Sequence, residues 1–99
     1  MSNDTLLTEA EIADGLKRLP DWTREGDTIR RTAEARTFMA GIRVVDTVAE
    51  AAEVLNHHPD IDIRWTSLTF ALSTHSKGGL TGLDFQLAAR IDQVLADEA

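Results

Sequence analysis

The sequence predicts an α+β fold: a four-stranded antiparallel sheet with three helices packed on one face, in the order α-β-β-α-β-β-α. Three observations lead there. Apolar residues recur every three or four positions in three separate stretches, near residues 12–19, 38–55 and 87–95. The two stretches between them alternate polar and apolar residues, as half-buried strands do. At 99 residues, 42% of them apolar, the chain has material for one thin core and therefore one domain, residues 1–99.

The first helix opens at Thr8-Glu9-Ala10-Glu11, where Thr8 and Glu11 have capping-box spacing and Leu7 and Ile12 stand at the staple positions. Ile12, Leu16 and Leu19 form its apolar stripe, and Pro20 ends it. A hairpin follows, Asp21 to Arg24 and Thr28 to Ala33 around a turn containing Gly26. Its flanks are polar, which predicts a sheet with a solvated face or edge. The second helix starts at Thr37 and carries Phe38, Ile42, Val45, Ala49, Ala52 and Leu55 on one stripe. Pro59 disfavours helical geometry at the residue before it, so this helix ends near Asn56 to His58.

Ile61, Ile63 and Trp65 alternate with polar residues, and Leu68, Phe70 and Leu72 do so one step out of phase. The phase break predicts a tight turn near Thr66-Ser67 between two antiparallel strands. Thr81-Gly82-Leu83-Asp84 then has capping-box spacing, flanked by Leu80 and Phe85, and opens a last helix through Leu87, Ala88, Ile91, Val94 and Leu95.

Composition removes several functions. A net charge of -7 with scattered Lys and Arg argues against nucleic acid or an anionic membrane as partner. With no cysteine there is neither a disulfide framework nor thiolate chemistry. No signal peptide is visible and no apolar run reaches membrane-spanning length, so a cytoplasmic location is expected. A core this thin also favours association with further copies of the chain.

All three histidines fall in two segments, His57-His58-Pro59 and the run from Thr74 to Asp84 that begins Thr-His-Ser-Lys-Gly-Gly. Imidazoles hold or release a proton near neutrality at little cost, so such a group suits general acid–base work, which supplies about 10² to 10⁴ in rate. Glu53, four residues before His57, shares its helix face and is placed to orient that ring. The plainer alternative is a helix-terminal His57 beside two surface histidines. Zinc is disfavoured, because neither His-x-His nor His-x₃-His spacing occurs. Asp84 has a capping role to fill whether or not it also faces a ligand. Gly78-Gly79 fits either a turn with positive φ or a close approach by substrate. Trp22 and Trp65 read as sheet-face core, with ligand stacking as the alternative.

The residues Glu53-Val54-Leu55-Asn56-His57-His58-Pro59, then Leu72 to Thr81 and Asp84, resemble the pterin-4a-carbinolamine dehydratase family. His-His-Pro followed by Thr-His-x-x-Gly-Gly-Leu-Thr-x-x-Asp is specific, and the resemblance extends over nearly the whole chain. It implies a hydro-lyase that dehydrates 4a-hydroxytetrahydropterin to quinonoid dihydropterin, recycling the tetrahydropterin of aromatic amino acid hydroxylases, with no metal or cofactor. By matching position, His57, His58 and His75 would be catalytic, and Glu53, Pro59, Asp84 and Trp22 would be substrate-binding. Of the three histidines, His57 and His75 would move protons while His58 holds the ring. The resemblance also implies a homodimer or homotetramer. Two departures stand out: Asp60 to Trp65 replaces a strand that the family often writes differently, and Leu83 stands where a basic residue is common. The competing reading is a catalytically silent, oligomeric binding or assembly module on the same fold.

Overall fold

The computed structural model describes residues 4–98. Helix α1 spans Glu9–Arg18 and carries the expected capping box: Thr8 Oγ1 accepts from the Glu11 amide at 3.2 Å, and the Thr8 amide donates to Glu11 Oε1 at 2.8 Å. Strands β1 (Thr23–Glu25) and β2 (Thr28–Glu34) form the first hairpin, joined through Gly26 at φ 61°, a left-handed backbone that glycine adopts without steric cost. Arg24 clamps Glu9 through two hydrogen bonds of 2.7 and 3.0 Å, tying β1 to α1. That guanidinium holds the Glu9 carboxyl below its ordinary range, first through the hydrogen bond and then through its charge.

Helix α2 spans Phe38–Leu55, with Thr37 Oγ1 accepting from the Ala40 amide at 3.0 Å. Its buried stripe is Ala40, Gly41, Val44, Val48 and Ala52 rather than one beginning at Phe38, which is half exposed. Small residues explain the shift. A Cβ on Gly41 would lie 3.6 Å from Leu68, so this stripe lets the helix axis come close to the sheet, and Phe38 is left at the rim.

Strands β3 (Asp60–Arg64) and β4 (Ser67–Leu72) pair antiparallel, with Arg64 opposite Ser67. The turn is therefore Trp65-Thr66, one residue earlier than the phase break suggests. Trp65 sits there at φ 54° with 78% of its surface exposed, and is not core. A two-residue turn pairs odd positions of β3 with even ones of β4, so Ile61 faces Phe70 and Ile63 faces Leu68. That register is the cause of the phase break. The sheet order is β1-β2-β4-β3, with β2 and β4 as the inner strands and Leu68, Phe70 and Leu72 of β4 fully buried.

Helix α3 spans Gly82–Glu98 and buries Leu87, Ala88, Ile91 and Val94 against α2 and the sheet. It also meets α1 at Gly15, where an added Cβ would stand 2.6 Å from the Phe85 ring. The other face of the sheet is polar, as its hairpin flanks predict: Arg30, Thr32, Asp60, Asp62 and Arg64 are exposed there, and Thr32 and Thr69 join their hydroxyls across the strands at 2.9 Å. Among the described residues no helix is long and apolar enough to cross a membrane.

Candidate active site

The first histidine segment is shaped by the end of α2. Asn56 caps the helix in the left-handed conformation at φ 50°, and the His57 amide reaches back to the Ala52 carbonyl at 3.0 Å. This reversal takes His57 off the helix surface and turns it inward, leaving its side chain 9% exposed. Pro59 then commits the chain to extended geometry, and β3 begins at Asp60. Because consecutive residues now diverge, His58 points to solvent.

The second segment is a closed loop after β4. The Thr74 amide bonds the Gly79 carbonyl at 3.0 Å, and the Lys77 and Gly78 amides both return to the Thr74 carbonyl. Within it His75–Lys77 makes one turn of 3₁₀ helix, ended by Gly78 at φ 72°. Gly78 is thus a turn glycine, while Gly79 is needed for a different reason: a Cβ there would meet Leu6 at 3.0 Å. His75 opens the turn and is exposed.

Asp84, in the first turn of α3, joins the two segments. It is fully buried, and both of its carboxylate oxygens are occupied. Oδ1 lies 2.6 Å from His57 Nε2; Oδ2 accepts from the Thr74 hydroxyl at 2.8 Å and from the Thr81 amide at 2.9 Å. The Thr81 amide contact is one half of the expected capping box. The other half is replaced, since Thr81 Oγ1 takes the Leu83 amide at 3.3 Å and meets Thr74 Oγ1 at 2.8 Å. Hydrogen-bonding all of its acceptors is what makes a buried carboxylate tolerable here.

Glu53 partners His58, not His57: His58 Nε2 and Glu53 Oε2 are 2.5 Å apart on the surface. Helical spacing places Glu53 beside His57 only if the helix continues, and it stops at Leu55. Pro59 is half-buried and precedes β3 in the chain. Trp22 does not join them. It is 3% exposed, and its indole N–H donates to Asp92 at 2.8 Å, eight residues and about 12 Å along α3 from Asp84. Arg31 bonds the same Asp92 oxygen, so Trp22 belongs to the packing of β2 against α3. Among the described residues no group of three or more acidic or histidine side chains has metal-site geometry. Thr74 is a site residue that spacing did not single out, and spacing marked Thr81 only as a helix cap. The signal for Thr74 was its place in the run, directly before His75.

Two segments separated by a whole hairpin thus converge on a buried carboxylate at the start of α3, with an exposed imidazole–carboxylate pair at the end of α2. This is a small α+β protein with two histidine–carboxylate pairs, one buried and one exposed. Comparison with known proteins places it further. Residues 5–94 match the family model described as pterin 4 alpha carbinolamine dehydratase. A protein of Nocardia farcinica named "Putative pterin-4-alpha-carbinolamine dehydratase" is 61% identical over 90% of this chain and 94% of its own. One of Mycobacteroides abscessus with the same name is 54% identical over 88% and 93%. A Brucella melitensis structure described as a transcriptional coactivator/pterin dehydratase superposes with a TM-score of 0.89 at 28% identity, over 92% of this chain and 99% of that one. A pterin dehydratase-like protein described as a RuBisCO assembly factor in the alpha-carboxysome shares the fold, with a TM-score of 0.62 at 17% identity over 75% of this chain and 86% of that one. The chain belongs to the pterin 4 alpha carbinolamine dehydratase family.

Proposed function

We propose that this protein is a hydro-lyase that dehydrates 4a-hydroxytetrahydropterin to quinonoid dihydropterin, the step that recycles tetrahydropterin after an aromatic amino acid hydroxylase turns over. The observation that carries the reading is the pairing of His57 with buried Asp84 and of His58 with Glu53, with His75 adjoining Thr74 of the same cluster. In the reaction a C4a–O bond breaks and a C4a=N5 double bond forms. His75 protonates the leaving 4a-hydroxyl, the N5 electrons expel water, and His57 takes the N5 proton. Solvent returns that proton from His57 to His75, which closes the cycle. His58, steadied by Glu53, holds the pterin ring by hydrogen bonding, and Pro59 walls the site. Asp84 is enclosed, so its carboxylate reaches a ligand only through His57, and Trp22 acts through packing.

The protein works in the cytoplasm as a homodimer or homotetramer, a reading supported by the exposed apolar side chains of Met39, Val54 and Trp65, which a further copy would cover. The test is a spectroscopic dehydration assay with enzymatically generated 4a-hydroxytetrahydropterin. A rate well above the spontaneous one, lost in His75→Ala, is expected. No acceleration by the folded protein refutes the hydro-lyase and favours the silent assembly module.

A further inference from the structure

His57, Thr74, Thr81 and Asp84 are the buried polar side chains among the described residues, and they form one connected cluster. Its directions can be worked out donor by donor. The Thr81 amide can only donate, so Asp84 Oδ2 accepts from it. The single hydrogen of the Thr74 hydroxyl goes to the same oxygen, which leaves Thr74 Oγ1 to accept from the Thr81 hydroxyl 2.8 Å away. A carboxylate has no hydrogen to give, so at Oδ1 it is His57 that donates, from Nε2.

We propose that Thr74 and Thr81 are positioning residues: they clamp Asp84, whose carboxylate sets His57 as the Nε2–H tautomer, leaving Nδ1 as its proton-accepting nitrogen. The clamp also joins the loop bearing His75 to the end of α2, because Thr74 precedes His75 and Asp84 holds His57. The catalytic consequence rests on the hydro-lyase reading above; the tautomer does not.

Asp84→Asn reverses the ring. Two donors still converge on the Oδ2 position, so the amide oxygen must stand there and the amide nitrogen must face His57. Nε2 then has to accept, and the ring is forced into the Nδ1–H form. Thr74→Val leaves the Asp84 carboxylate with one fewer donor and a looser hold, whereas Thr74→Ser keeps the hydroxyl.

Long-range ¹H–¹⁵N correlation spectra of the neutral histidine rings read the tautomer directly in the labelled full-length chain. The expected result is Nε2–H for His57 in the wild type, Thr74→Ser and Thr74→Val, since each keeps the Asp84 carboxylate, and Nδ1–H in Asp84→Asn. An Nδ1–H ring in the wild type, or an unchanged ring in Asp84→Asn, overturns the proposal. The wild-type measurement decides even if Thr74→Val fails to fold. In the dehydration assay Thr74→Val should lose about tenfold in kcat with KM unchanged, the size expected for one hydrogen bond to a charged group, and Thr74→Ser should recover it. Equal losses in the two variants, or an effect on KM alone, would overturn the positioning role. If the wild type itself does not dehydrate the pterin, the hydro-lyase reading fails and the spectra alone decide the tautomer.

Discussion

Asp84→Ala tests whether the buried cluster holds the fold together as well as the site. The substitution removes three contacts, but they are not equal. The Thr74 hydroxyl can turn toward Thr81 Oγ1, 2.8 Å away, and His57 has a sliver of exposure through which water can reach it. The Thr81 amide has neither recourse: it is fixed by the helix start and fully buried, so losing Oδ2 leaves it without a partner. An orphaned buried donor costs about 1–3 kcal/mol. Relief from burying a charge offsets part of this. The net expectation is a loss of about 1–2 kcal/mol, a sizeable share of the roughly 5–15 kcal/mol typical of a domain. Urea denaturation at neutral pH measures it as a lower midpoint at unchanged slope. A variant within about 0.5 kcal/mol of the wild type would refute the reasoning, since it would mean that the Thr81 amide finds a partner or that Asp84 contributes nothing net.

Two further outcomes follow from contacts between elements. Gly15→Ala gains about 1 kcal/mol of helix propensity but drives a methyl to 2.6 Å from the Phe85 ring, so it should destabilise in the wild type and stabilise in a Phe85→Ala background. Equal effects in the two backgrounds, read by denaturation in a double-mutant cycle, would remove the close contact from the account. Because Arg24 depresses the folded-state pKa of Glu9, the pair stabilises above the ordinary carboxyl range, and its contribution fades as pH falls through the depressed value. Stability curves of the wild type and Glu9→Gln should therefore differ at neutral pH and converge in acid; a constant gap across that window would contradict the linkage.

Much of this molecule is written in interactions between near neighbours in the chain, and those the sequence alone determined. Thr8 with Glu11, Thr37 before α2, Gly26 in the hairpin and Pro59 after the histidines act over a few residues, so their spacing settles helix starts, turns and stops. The order of elements and the two histidine segments follow from the same local signals. Only the tertiary structure decided which partners meet. Asp84 reaches His57 across 27 positions and Trp22 reaches Asp92 across 70, distances at which spacing carries no direction. The misplaced Glu53 partner, the buried stripe of α2 and the exposed Trp65 have one cause in common. Each depended on how closely a helix approaches the sheet or where a strand register closes, and that is settled by packing all the side chains at once.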